Sequence, residues 1–162
     1  MERDQLIAVV DRLEREMRQA FLRDGSIMTI GTVVGADGGV VDVVPDLGGD
    51  FAGALRTSCG RHRAAAVWLA AEAWSAFERP GFPGPRPSAK PDRREVLLSQ
   101  AAGLVSRTRV WPIVRDGGSV GLGEMEEAKT TGGRLSDVFR RASSPIWTPP
   151  GAMVGITGRR MK

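Results

Sequence analysis

The chain is poor in the residues that most often carry chemistry. Its 162 residues include one cysteine, Cys59, one histidine, His62, and no tyrosine. A single cysteine excludes an internal disulfide and fits a reducing compartment. A structural zinc takes four ligands, usually cysteine and histidine, and the Cys59-x-x-His62 pair has no second pair to complete it, so neither a metal nor a cofactor is expected. Lysine is scarce as well: Lys90, Lys129 and Lys162 stand among 23 basic residues. No apolar run approaches the roughly 18 residues of a membrane span. The opening MERDQLIAVVDRLERE mixes acids and bases throughout, whereas a secretory leader needs a basic start and an unbroken apolar core. The expectation is a cytoplasmic protein with no membrane partner. There is also no G-x-G-x-x-G and no P-loop; Gly117-Gly118 and Gly121-x-Gly123 are glycines of a turn and a strand.

What is present describes one globular domain. Apolar residues make up 41% of the chain, enough for a core without staples at this length. The net charge is +4 and the pI about 10.2. Arginine hardly titrates, so a modest arginine excess raises the pI far. The basic balance admits nucleic acid as a partner without selecting it.

Along the chain, Leu6, Val9/Val10, Leu13, Met17 and Phe21 recur at steps of three and four and predict an amphipathic helix over 4–22, stopped at Asp24-Gly25. Asp11–Arg15 and Glu14–Arg18 are spaced as ion pairs on its wet side. Ile27–Val34 and Val40–Val44 are β-branched runs around a glycine-rich turn, a hairpin signal, with Pro45 ending the second strand. Asp42, Asp46 and Asp50 follow closely, but their spacing matches no calcium loop. Phe51–Cys59 is a predicted helix with Asp50 as N-cap and Gly60 as its stop. The alanines of 63–77 slightly favour a helix on pattern alone. After the proline-rich 79–92, REVLLSQAAGLVSRTRVWPIVRDGGSVGLGE reads as three strands, about Glu95–Ala101, Val105–Val114 and Ser119–Gly123, joined as a meander. A short helix over Gly133–Ala142 and a tail, 143–162, carrying Ile146, Trp147, Met153, Val154 and Ile156 complete the chain; the tail is expected to pack on the domain or a neighbouring subunit.

Glu72-Ala73-Trp74, the proline-rich spacer and Pro91-Asp92-Arg93-Arg94-Glu95-Val96-Leu97 resemble a group of small uncharacterised bacterial and phage-associated proteins. The resemblance spans roughly 63–124, implies an α+β fold and no known activity, and implies that the segment ending in Glu-Ala-Trp, 64–77, is a strand. The resulting expectation is a single α+β domain over 1–142, of order αββαββββα, with a mainly antiparallel sheet, a β-meander in its C-terminal half and helices packed on one face.

Three sets of residues carry candidate chemistry. On the middle meander strand, alternation places Arg107, Arg109, Trp111, Ile113 and Arg115 on one face. Arginines flanking a tryptophan suit nucleic acid, through phosphates and stacked bases. The plainer alternative is a solvent face where arginine stems cover Trp111, the other face packing on helices. Pro112, with no N–H, marks an edge or bulge on one side of that strand. Glu72 between Trp68 and Trp74 is a candidate pocket acid, its alternative being a pair with an arginine such as Arg94. Cys59 with His62 is a candidate thiol–imidazole pair, its alternative a buried thiol and an exposed imidazole. With no catalytic motif, the leading expectation is a non-enzymatic binding or assembly module that self-associates. A nucleic-acid binder and an enzyme using Glu72 or Cys59 are the alternatives.

Overall fold

The structure is a computed structural model and describes residues 2–75, 93–103 and 106–128. The proline-rich 79–92, the helix expected over 133–142 and the tail 143–162 lie outside the described residues.

Helix α1 runs Arg3–Asp24. It begins in a capping box between Glu2 and Gln5 and ends at Gly25, whose φ of 77° lets its N–H reach the Phe21 carbonyl at 2.7 Å. Strands β1 (Ile30–Val34) and β2 (Val40–Pro45) form the expected hairpin. Helix α2, Phe51–Arg61, is capped by Asp50, which accepts the Gly53 N–H at 2.9 Å. It runs past Gly60, and Arg63, at φ 47°, makes the left-handed turn expected of that glycine. Strands β3 (Ala66–Ser75), β4 (Arg94–Gly103), β5 (Arg107–Asp116) and β6 (Ser119–Leu122) follow, then a two-residue β7 (Glu126–Glu127) that the sequence pattern did not signal.

All seven strands belong to one antiparallel sheet of order β2-β1-β3-β4-β5-β6, with β7 continuing along β5. The β4–β6 run is the expected meander, and β3 pairs antiparallel with its first strand. Pro112 behaves as its missing N–H requires. Its carbonyl accepts the Gly123 N–H at 2.7 Å, and the ladder on that side breaks there between β6 and β7. Residues 64–77 are strand at Ala66–Ser75, as the resemblance implied and the helical pattern did not.

The α+β class holds, but the helices do not share one face. Every residue from Ala66 to Ala71 is buried, so the strand presents apolar side chains to both sides. Ala66, Trp68 and Ala70 pack with Val34, Leu97 and Trp111 under α1 through Leu6, Val10, Leu13, Met17 and Phe21. Val67 and Leu69 pack with Val33 under α2 through Phe51, Leu55 and Cys59. A central strand buried on both faces needs a cover on each. Small residues let both covers approach. At Gly31 a Cβ would lie 2.6 Å from Leu55, a side chain with no solvent exposure. Among the described residues no helix is long and apolar enough to cross a membrane.

Candidate functional site

The arginine–tryptophan face of β5 lies beneath α1. Strand register sets Trp111 opposite Leu97, Arg109 opposite Ser99 and Arg107 opposite Ala101, all on the side that α1 covers. Trp111 is 5% exposed. The face is therefore largely covered by α1 and not the open surface that alternation alone suggested, and a base stacking flat on Trp111 would have to displace Arg18 of that helix.

The reason is on the helix. Asp11, Glu14 and Arg18 form a stripe beside the apolar one at steps of three and four, and that stripe faces β5. Glu14, assigned by its spacing to the wet side, is 3% exposed. Its carboxylate accepts the Arg109 Nη1–H at 3.0 Å, lies 3.2 Å from Arg107 Nη2, and accepts the Ser99 hydroxyl at 2.7 Å. Ser99 in turn accepts the Trp68 indole N–H at 2.8 Å. Asp11 Oδ1 accepts from Arg107 at 2.8 Å and from Arg109 at 3.2 Å. A carboxylate so deep needs paired, hydrogen-bonded cations, and the two arginines of β5 supply them. The i,i+4 partners expected within α1 are replaced. The Arg18 guanidinium instead stands over the Trp111 ring, 5.4 Å from its centroid. Asp11 and Glu14 are the members that a reading of β5 alone missed. The available signal was two arginines at alternate strand positions and two acids three apart on a helix.

Arg115 does not join this cluster. Four strand positions beyond Trp111, at the turn end of β5, it donates to Glu95 at 2.9 and 3.3 Å and lies 3.7 Å from Glu72. Glu72 accepts the Ile27 N–H at 2.7 Å, tying the α1–β1 connection to β3, and lines neither cavity described below. Its arginine neighbour is Arg115, whereas Arg94 pairs with Glu126.

Cys59 and His62 part company. Cys59 is buried with Leu55, Val67 and Leu69, and burial, reinforced by the Asp42 charge, pushes its thiol up to about 11. A thiol held protonated in an apolar site is a poor nucleophile. His62 Nε2 lies 3.9 Å from Asp42, whose carboxylate accepts the Ser58 hydroxyl and the Val43 N–H and is held below the usual carboxylate range, chiefly by Ser58. Asp46 and Asp50 cap their own turns. Among the described residues no three or more acids, cysteines or histidines gather as a metal would require.

Two concave surfaces flank α1. On the β2 side, Leu13, Met17, Ile30, Val40, Val43 and Trp68 wall an apolar groove of about 350 Å³. Its few polar contributors include Glu16 and Thr32. On the β5 side a more polar cavity of about 300 Å³ opens beside Arg18 and Trp111. No family model, curated protein or solved structure matches this chain.

Proposed function

We propose that the protein is a non-enzymatic assembly module that pairs with a second copy of itself through the apolar flank between α1 and β2. The observation that carries this reading is where apolar surface lies. Of the nine exposed large hydrophobic side chains among the described residues, six, Leu22, Met28, Val40, Val41, Val43 and Leu47, fall in sequence between the end of α1 and the turn after β2, and Val40 and Val43 themselves wall the groove. Concentrated apolar surface of this kind marks an interaction site, whereas scattered single residues do not.

Two features favour a like partner and a side-chain contact. The charges along this stretch of α1 come in opposite pairs, Arg12 with Glu16 and Arg23 with Asp24, so the flank offers no single-sign field to attract a charged foreign protein. A two-fold interface joins one patch to itself, and an apolar, charge-balanced patch is self-complementary. The outer edge of β2, unpaired among the described residues, is poorly suited to strand addition. The Asp46 N–H bonds to Thr29, so alternate residues Val43 and Pro45 turn their backbones outward. Pro45 has no N–H, and that of Val43 is held by Asp42 at 2.9 Å. Contact therefore runs through valine side chains and the groove.

Sedimentation equilibrium over a wide concentration range tests this. The native chain should dimerise, and Val43→Glu, on an exposed position, should leave a folded monomer. A native chain that stays monomeric throughout refutes the reading.

A further inference from the structure

The cavity on the opposite shoulder of α1 is built differently. It is lined by Asp11, Glu14, Arg15, Arg18, Arg109 and Trp111, with Met125 at its margin. Asp11 and Glu14 are both engaged by Arg107 and Arg109, at 2.8–3.2 Å. Arg15 and Arg18 have no ion pair among the described residues. Arg18 rests over Trp111, and its Nε is sealed from solvent with no hydrogen-bond partner; the Nε of Arg109 is in the same condition. Glu127, opposite Arg109 in the β5–β7 ladder, is exposed. Counting it, four guanidiniums meet three carboxylates around this cavity, and the cation nearest the ring has no counter-charge of its own.

We infer that this cavity binds a compact phosphate-class oxyanion, free or carried on a small molecule, through Arg15 and Arg18. A guanidinium is a planar fork of donors that matches phosphate oxygens, and a ring beneath it holds the fork in place. Trp111, fixed by burial, provides that ring. The carboxylates in the wall do not cancel the site, because each already shares its oxygens with Arg107 and Arg109. A volume of about 300 Å³ sits at the small end of ligand pockets, which suits a small anion better than a polymer. This site is separate from the self-pairing flank on the other side of the helix, and neither depends on the other.

The test is calorimetric titration of the full chain with pyrophosphate, with citrate in parallel. Pyrophosphate should bind saturably, more weakly as salt rises, and should raise the melting temperature. Arg18→Gln, which removes no ion pair, should keep the native circular dichroism and lose affinity at least ~tenfold, the order set by hydrogen bonds to a charged group. Arg15→Gln, at an exposed position, gives a second reading should Arg18→Gln fold poorly. The inference is overturned by no saturable pyrophosphate binding, by affinity unchanged in both variants, or by citrate binding as tightly as pyrophosphate.

Discussion

Under α1 the sheet buries an acid, Glu14, against two arginines, Arg107 and Arg109, with Trp68 and Ser99 completing the chain of hydrogen bonds. Under α2 it buries Phe51, Leu55 and Cys59 against Val33, Val67 and Leu69, while Asp42, Ser58 and His62 stay toward the outer β2 edge. The same central strand, β3, serves both. The α1 face adds a buried charge cluster to its apolar core and carries the two cavities described above, whereas the α2 face depends on volume. A change of charge should therefore tell on the first face and a change of shape on the second.

The largest effect is expected from Glu14→Ala. It leaves Arg107 and Arg109 short of a buried partner and should cost about 3–5 kcal/mol in urea unfolding. Glu16→Ala, two residues along the same helix, removes only an exposed 4.0 Å pair with Arg12 and should stay within about 0.5 kcal/mol. Equal losses at the two positions would deny the α1 face its ionic character.

On the α2 face the sharper probe is Gly31→Ala. The added methyl meets Leu55, which is fully buried and has nowhere to swing, so a loss of about 1–3 kcal/mol is expected. Truncating Leu55 in the same chain should relieve the clash, giving a non-additive pair. Additive losses would mean that the face yields more readily than its packing implies.

Smallest is a pH effect on the same face. Folding raises the Cys59 thiol from 9.0 to about 11. Between those values the unfolded chain sheds a proton that the folded chain keeps, so this contribution is whole below pH 9 and is lost as pH rises toward about 11. Cys59→Ala should unfold with a shallower alkaline decline than the native chain, beside a pH-independent loss of about 1–2 kcal/mol for the cavity. Parallel alkaline curves for the two proteins would place the thiol in contact with water.

Local signals were sufficient wherever the chain acts locally. Apolar steps of three and four marked α1, the glycine-rich turn between valine runs marked the first hairpin, Asp50 marked the start of α2, and Pro112 marked the break along β5. Each depends on a period, a cap or a missing N–H within a few residues. Residues 64–77 were ambiguous because alanine suits a helix by propensity and a doubly covered strand by size. Only the neighbours on both sides, β1 and β4, resolve that choice.

The sequence by itself determined the elements other than β3 and β7, the meander, and the face on which Arg107, Arg109 and Trp111 would stand together. Only the tertiary structure decided what that face meets. Alternation states which side chains share a side, but whether that side is wet depends on where a helix some ninety residues earlier comes to rest. Glu14 and Arg109 are neutral in any local pattern, and each becomes a buried ion only in the presence of the other. Burial and charge pairing are properties of contacts between distant segments, so the same arginines that suggested an open nucleic-acid surface hold a helix to its sheet.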